Sequence, residues 1–269
     1  MRETLARVLR SRGRSHDEAK DEPAAAESPA AVLIDADYRG SAGGAAEWHD
    51  LKACGIGGVV LNRLSEANVT LSPEADERPI CRAVIAPPAA LDRDTLHRLH
   101  DQGVRGVRFR LDDDADVAGM LCYGDALVIP GWHIELDLPA GDTHALHRAE
   151  WILTRMPVPV CFTGLAGFAG HDGGSSARAL LLELVHMGRF WLKFSAAELS
   201  SASPAAQEAA SLLAREAMAT RPDRLVFGSG SAGAQADVAA ALQMVRPWFP
   251  DEAAQRQILT FNPAALYDF

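Results

Sequence analysis

Eight times along this chain a short apolar run suited to a strand is followed by a stretch with helical periodicity, and that alternation restricts the fold more than any other feature. The strand-like runs are Ala31–Ile34, Ile56–Leu61, Cys81–Ile85, Val104–Phe109, Trp132–Leu136, Val158–Phe162, Phe190–Phe194 and Arg224–Phe227. Between them lie helical spacings such as Leu91, Leu96 and Leu99, or Leu180, Leu181, Leu184 and Val185. Strands buried on both sides and separated by helices predict a parallel sheet, and eight such units predict a closed (β/α)8 barrel of the TIM type. A doubly wound open sheet is the alternative, but no shift in composition divides the chain into two nucleotide-binding halves.

A length of 269 residues suits one such barrel, for which about 250 is typical. The domain is expected over residues 30–269. Residues 1–29 read as an extension in two parts. Arg2, Arg7, Arg10, Arg12 and Arg14 surround Leu5, Val8 and Leu9 in a basic amphipathic stretch, and an Asp-, Glu-, Ala- and Pro-rich linker follows. With 26 basic against 36 acidic residues the formal charge is −10, which argues against a nucleic-acid or anionic-membrane partner and for small molecules or proteins. Cys54, Cys81, Cys122 and Cys161 have no metal-knuckle or dithiol spacing and read as reduced core thiols. No apolar run has the length of a membrane span or the form of a secretory signal, so a cytoplasmic location is expected. The closing Asn262-Pro263 reads as a helix start, with Asn as cap and Pro at the first turn, and Leu266, Tyr267 and Phe269 would pack this short helix on the barrel.

Three segments carry a family resemblance: Leu99 to Arg110 with its Gly-Val-Arg-Gly-Val-Arg-Phe, Arg224-Leu-Val-Phe-Gly-Ser-Gly230, and Asn262 to Phe269. Together they resemble the amidohydrolase-related barrel hydrolases, in the branch that includes 2-pyrone-4,6-dicarboxylate lactonase. The resemblance implies a metal-dependent-hydrolase-like barrel with its reacting groups at the carboxyl ends of the strands. It also implies two metal-binding histidines at the end of the first strand, a histidine after the sixth, and a water-activating aspartate after the eighth. Here those positions hold Asp37, Arg39, Gly164 and Gly230. Arginine has no lone pair for a metal. No metal or other cofactor is therefore expected.

What stands at the strand ends is cationic and hydroxylic. Arg105, Arg108, Lys193 and Ser195 match the family's retained residues, and in the lactonase branch strand-end arginines are implied to grip substrate carboxylates. Strand alternation places Arg108 and Arg110 on one face and Arg105 near the start of the strand on the other. If Arg108 and Arg110 point into the barrel mouth they form an anion site; pairing with Asp37 or Asp137 would silence it. Asn62, Arg63, His133 and Asp137 are further possible contacts. The run Gly228-Ser-Gly-Ser-Ala-Gly233 follows a strand and precedes a helix, so its amides, with Ser229 and Gly230, suit a phosphate or carboxylate; the glycine-rich loops Gly40 to Gly44 and Gly164 to Gly174 favour instead glycine drift in loops that lost their chemistry.

The leading expectation is a barrel that no longer hydrolyses and acts as a binding or partner protein, taking a small carboxylate or phosphate and associating with itself or an active relative. The alternative is a metal-independent hydrolase of an anionic lactone or ester. In it Arg108, Lys193 and the glycine loop would stabilise an oxyanion, and Asp35 or Asp37 would serve as base.

Overall fold

The computed structural model describes residues 32–40, 45–64, 66, 79–111, 114–128, 130–139, 142–165, 174–231, 235–249 and 251–269. The expected N-terminal extension 1–29 lies outside the described residues. Eight parallel strands form one sheet in sequence order: β1 Leu33–Tyr38, β2 Ile56–Leu64, β3 Ile80–Ile85, β4 Val104–Arg110, β5 His133–Asp137, β6 Val160–Thr163, β7 Phe190–Ser195 and β8 Leu225–Gly228. The helices are α1 Ala45–Ala53, α2 Arg93–Asp101, α3 Asp114–Leu127, α4 Thr143–Leu153, α5 Gly174–His186, α6 Ala196–Ser201, α7 Pro204–Thr220, α8 Gln235–Val245, α9 Glu252–Arg256 and α10 Asn262–Tyr267. This is the (β/α)8 barrel predicted from the alternation. No helix of the described residues is long and apolar enough to cross a membrane.

The main core lies between strands and helices. Val107, Ile134, Leu136, Phe162 and Leu192 from the sheet pack on Leu96, Leu99, Leu146, Leu181 and Leu213 from the helices. Each fully buried side chain of this kind contributes about 1.5–3 kcal/mol. The helix starts are sealed locally: Asp92 accepts from the Thr95 amide at 2.9 Å, Asp142 from Ala145 at 3.0 Å, and Ser203 from Ala206 at 3.3 Å. Such caps are worth about 1 kcal/mol apiece.

A second, smaller cluster fills the barrel interior, where Ala36, Val60, Val84, Cys161, Trp191 and Val226 meet Leu266 and Tyr267 of α10. The C-terminal helix therefore plugs the amino end of the barrel. Its cap differs from the sequence expectation. Asn262 is already helical, continuing a π-turn over Gln257–Phe261, and its amide donates to the carbonyls of Pro222 and Leu225 instead. None of the four cysteines is in a disulfide, but only Cys161 is buried; Cys54 and Cys81 are partly exposed and Cys122 is exposed, so the expectation of core thiols holds for one of them.

Between β8 and β1 the wall is joined by a set of polar contacts. The Ser229 amide and hydroxyl both donate to the Asp35 carboxylate, the Gly230 amide donates to the Asp37 carbonyl at 2.7 Å, and the Arg39 amide donates to the Ser231 carbonyl at 2.7 Å. Backbones approach so closely here that a Cβ on Gly228 would lie 2.2 Å from the Asp37 amide nitrogen. Gly228→Ala must therefore open the seam, and we expect a loss of about 3 kcal/mol or failure to fold, read by urea denaturation.

Candidate functional site at the carboxyl end of the barrel

In β5 the apolar Ile134 and Leu136 belong to the outer core, which turns the alternate residues His133, Glu135 and Asp137 toward the barrel axis. Glu135 is 0% exposed and sits at the centre of a charged cluster. The Lys193 ammonium of β7 donates to its Oε1 at 2.5 Å and the Tyr267 hydroxyl of α10 donates to the same oxygen at 2.9 Å. Arg108 Nη1 stands 3.8 Å from Oε2, and His133 Nε2 stands 4.0 Å from Oε1. Burial opposes the charged carboxylate, but the Lys193 ammonium, His133 and Arg108 outweigh it and hold the Glu135 carboxyl well below the usual range. The same burial, with the Glu135 charge, pushes the Cys161 thiol and the Tyr267 phenol up, so neither is an activated nucleophile.

Above this cluster the mouth is built from strand ends. Asp37 Oδ1 accepts from Asn62 Nδ2 at 3.0 Å, and Asp37 Oδ2 accepts from Arg39 Nη2 at 3.0 Å. Burial raises the Asp37 carboxyl, yet Lys193, Arg39 and a Ser195 hydrogen bond bring it below its ordinary value. Arg39 Nη2 also lies 3.5 Å from Glu198 Oε1 on α6 and 3.5 Å from the Ser195 hydroxyl. Arg108 Nη2 donates to Thr163 at 3.2 Å and lies 3.4 Å from Asp137 Oδ2; the Thr163 hydroxyl donates to Asp137 at 3.1 Å. Several buried polar atoms in this region make no hydrogen bond: Arg39 Nε, Asn62 Oδ1, and Arg108 Nη1 with Glu135 Oε2, which face each other as an ion pair at 3.8 Å. The Asn62 orientation is fixed, because its Nδ2 faces two acceptors, Asp37 Oδ1 and the Ala36 carbonyl. Its Oδ1 therefore remains an acceptor.

The expected site residues divide between this cluster and other parts of the fold. Arg108, Lys193, Ser195 and Asp37 come together, and Arg108 takes the acid-paired state. Arg110 is exposed at the end of β4. Arg105 is a correction: its face of β4 meets α2 at the amino end, where it binds the carbonyls of His100 and Val104 and the Asp268 carboxylate at 3.1 Å. Asp35 is also displaced from a catalytic role, since it lies beside Val238, Ala241 and Leu242 of α8 and spends its oxygens on Ser229 and the Asp37 amide. Ser229 and Gly230 belong to the seam. With the Ser231 amide donating to Ser229 Oγ, amides 229 to 231 are all engaged, and the adjoining cleft of about 290 Å³ presents the Asp237 carboxylate; this does not suit a phosphate. Residues 232–234 of that loop lie outside the described residues, as do 41–44 and 166–173 of the two other glycine-rich loops. Glu135, Glu198 and Tyr267 were not among the sequence candidates, although the polar alternation of β5 signals Glu135.

A family model described as Amidohydrolase matches residues 60–269. The chain belongs to the amidohydrolase family. A D-galactarolactone isomerase from Agrobacterium fabrum is 31% identical over 107 residues, a stretch covering 37% of this chain and 37% of that protein. Among solved structures, a putative 2-pyrone-4,6-dicarboxylic acid hydrolase from Pseudomonas putida superposes with a TM-score of 0.68 at 20% identity, covering 88% of this chain and 97% of that one. A probable 2-pyrone-4,6-dicarboxylic acid hydrolase from Acinetobacter baumannii, with citric acid bound, gives 0.66 at 17%, covering 88% and 99%. These two share the fold.

The divalent metal implied by the family resemblance does not fit this amidohydrolase barrel. At the first-strand position Asp37 has both oxygens committed, and a guanidinium stands 3.0 Å away where a second ligand would be needed. Among the described residues, no group of three or more His, Cys, Asp or Glu is placed to hold a metal. The buried pair below the mouth bears on stability. Lys193→Met leaves Glu135 without its closest cation, and we expect a loss of about 3–5 kcal/mol at neutral pH by urea denaturation. Adding Glu135→Gln should recover most of it. Because the native Glu135 carboxyl is depressed, its contribution is present above the ordinary carboxylate range and lost only as pH falls through its lower folded value. In Lys193→Met the defect should instead shrink in mild acid, where Glu135 protonates.

Proposed function

We propose that this chain is an amidohydrolase-family barrel without metal-dependent hydrolysis, and that its mouth binds a small carboxylate. The observation that carries the reading is the Asp37–Arg39 pair. An arginine occupies the second ligand position of the first strand and neutralises the carboxylate at the first. The two carboxylates expected to serve as base are poorly placed for it: Asp37 is lowered by its cations, and Asp35 is buried in the seam. Binding is favoured by the Arg39 Nε–H, which makes no hydrogen bond within the protein and suits a carboxylate, and by the open acceptor on Asn62, which suits a ligand hydroxyl; for Arg108 a ligand has to compete with Asp137 and Glu135. The relatives point the same way in their ligand class. They are named for a pyrone dicarboxylic acid and a galactarolactone, and one holds citric acid.

Three measurements test this. Elemental analysis of the purified protein should find no stoichiometric divalent metal, and mass spectrometry over pyrone lactones, esters and amides should find no turnover with or without added zinc or manganese. One metal per chain, or metal-dependent turnover, removes the reading. In thermal-shift titrations the hydroxylated acids citrate and malate should raise the melting temperature more than succinate, and Arg108→Ala should abolish the effect.

A further inference from the structure

The mouth contains more carboxylates than free cations. Arg39 faces Asp37 and Glu198, while Arg108 faces Asp137 and Glu135. A ligand carboxylate entering here gains the two guanidiniums only by adding another negative charge to a site that already holds Asp37, Asp137 and Glu198. Like charges so arranged are costly unless one of them is discharged. Which of them yields follows from geometry. Glu135 is locked against Lys193 and Tyr267. Asp37 is clamped by Arg39, Asn62 and Ser195. Asp137 accepts from the Thr163 hydroxyl and faces Arg108. Glu198 has the weakest hold, a single contact at 3.5 Å to an Arg39 nitrogen that already serves Asp37, and its side chain is 24% exposed, open to a proton from water.

We propose that a small hydroxycarboxylate binds by taking the place of Glu198 on Arg39, and that Glu198 takes up one proton from solvent as it is released. The proposal rests on the reading of the mouth as a carboxylate site and adds its coupling to pH. Arg39 would exchange one carboxylate partner for another, keep Asp37, and turn its unused Nε–H toward the ligand. The groups facing Glu198 are Asp37 from β1, Asp137 from β5, Arg108 from β4 and Arg39. Burial, then Asp37 and Asp137, already push the Glu198 carboxyl above its ordinary value, and an arriving anion pushes it in the same direction. Affinity should therefore rise as pH falls, because the protonated form of Glu198 is the one that releases Arg39.

The test is calorimetric titration with malate, in pairs of buffers with different ionisation enthalpies, across pH values from about 6 to about 8. Uptake of one proton per malate corresponds to about tenfold weaker binding per pH unit above the Glu198 titration. Glu198→Gln should bind malate without proton uptake, with affinity nearly flat across that range and above the native value at its alkaline end. Arg39→Ala should lose binding at every pH. Binding by the native protein with no proton uptake overturns the coupling and leaves the carboxylate site standing. Uptake that persists in Glu198→Gln also overturns it, by assigning the proton to Asp37 or Asp137. Absence of malate and citrate binding at the acid end of the range overturns both the coupling and the site.

Discussion

A single buried negative charge organises the centre of this barrel. Glu135 cannot be solvated, so the fold supplies its partners from the protein: Lys193 across the barrel, Tyr267 from the C-terminal plug, and Arg108 on the neighbouring strand. The strand register makes this possible, since Arg108 pairs with Glu135 in the β4–β5 ladder and Glu135 with Cys161 in β5–β6. Because Tyr267 reaches the carboxylate from α10, the last helix is held by hydrogen bonding as well as by the apolar contacts of Leu266 and Tyr267. The pair then acts upward as well, because Lys193 also lowers Asp37 at the mouth.

The polar content of the interior explains why the two ends of the barrel behave differently. At the amino end Phe269 lies against Gly58, where even a Cβ would come within 2.8 Å of the ring, and Arg82 and Arg105 hold Asp268 by its carbonyl and carboxylate. At the carboxyl end Arg39 and Arg108 are each shared between two acids, Arg39 at 3.0 and 3.5 Å and Arg108 at 3.4 and 3.8 Å, and several buried polar atoms make no hydrogen bond. Unsatisfied buried donors cost about 1–3 kcal/mol each in isolation. A ligand that satisfied them would recover that cost on binding, which places the adaptable end of the molecule at the strand termini.

Much of this was legible in the residues. The eight apolar runs located every strand, although β1 continues past Ile34 to Tyr38 and so carries Asp35 and Asp37 within it. Arg108, Lys193, Ser195 and Asp37, singled out by family resemblance and strand-end position, do lie together at the carboxyl end of the strands. The errors have a shared cause: position along a strand does not tell which neighbour a side chain will meet. Arg105 carries the same spelling as Arg108 but lies near the other end of the strand and faces α2. Ser229 and Gly230 follow a strand, as phosphate loops do, yet the β1–β8 junction consumes their hydrogen bonds. Glu198 was invisible because the turn from β7 into α6 that carries it toward Arg39 is a tertiary feature.

The replacement at Arg39 changes what kind of site this end of the barrel can be. A metal held by imidazoles concentrates positive charge at a point and binds oxygen through fixed coordination directions. A guanidinium spreads its charge over a plane and offers several N–H groups, so it can hold Asp37 and still present other edges to a second acid. It cannot polarise a water for attack as a metal does, but it can exchange one carboxylate for another at little cost in geometry. With Asp37 already satisfied and Glu198 loosely held, the proposed recognition of acids asks of this strand end only that Arg39 change one carboxylate partner for another.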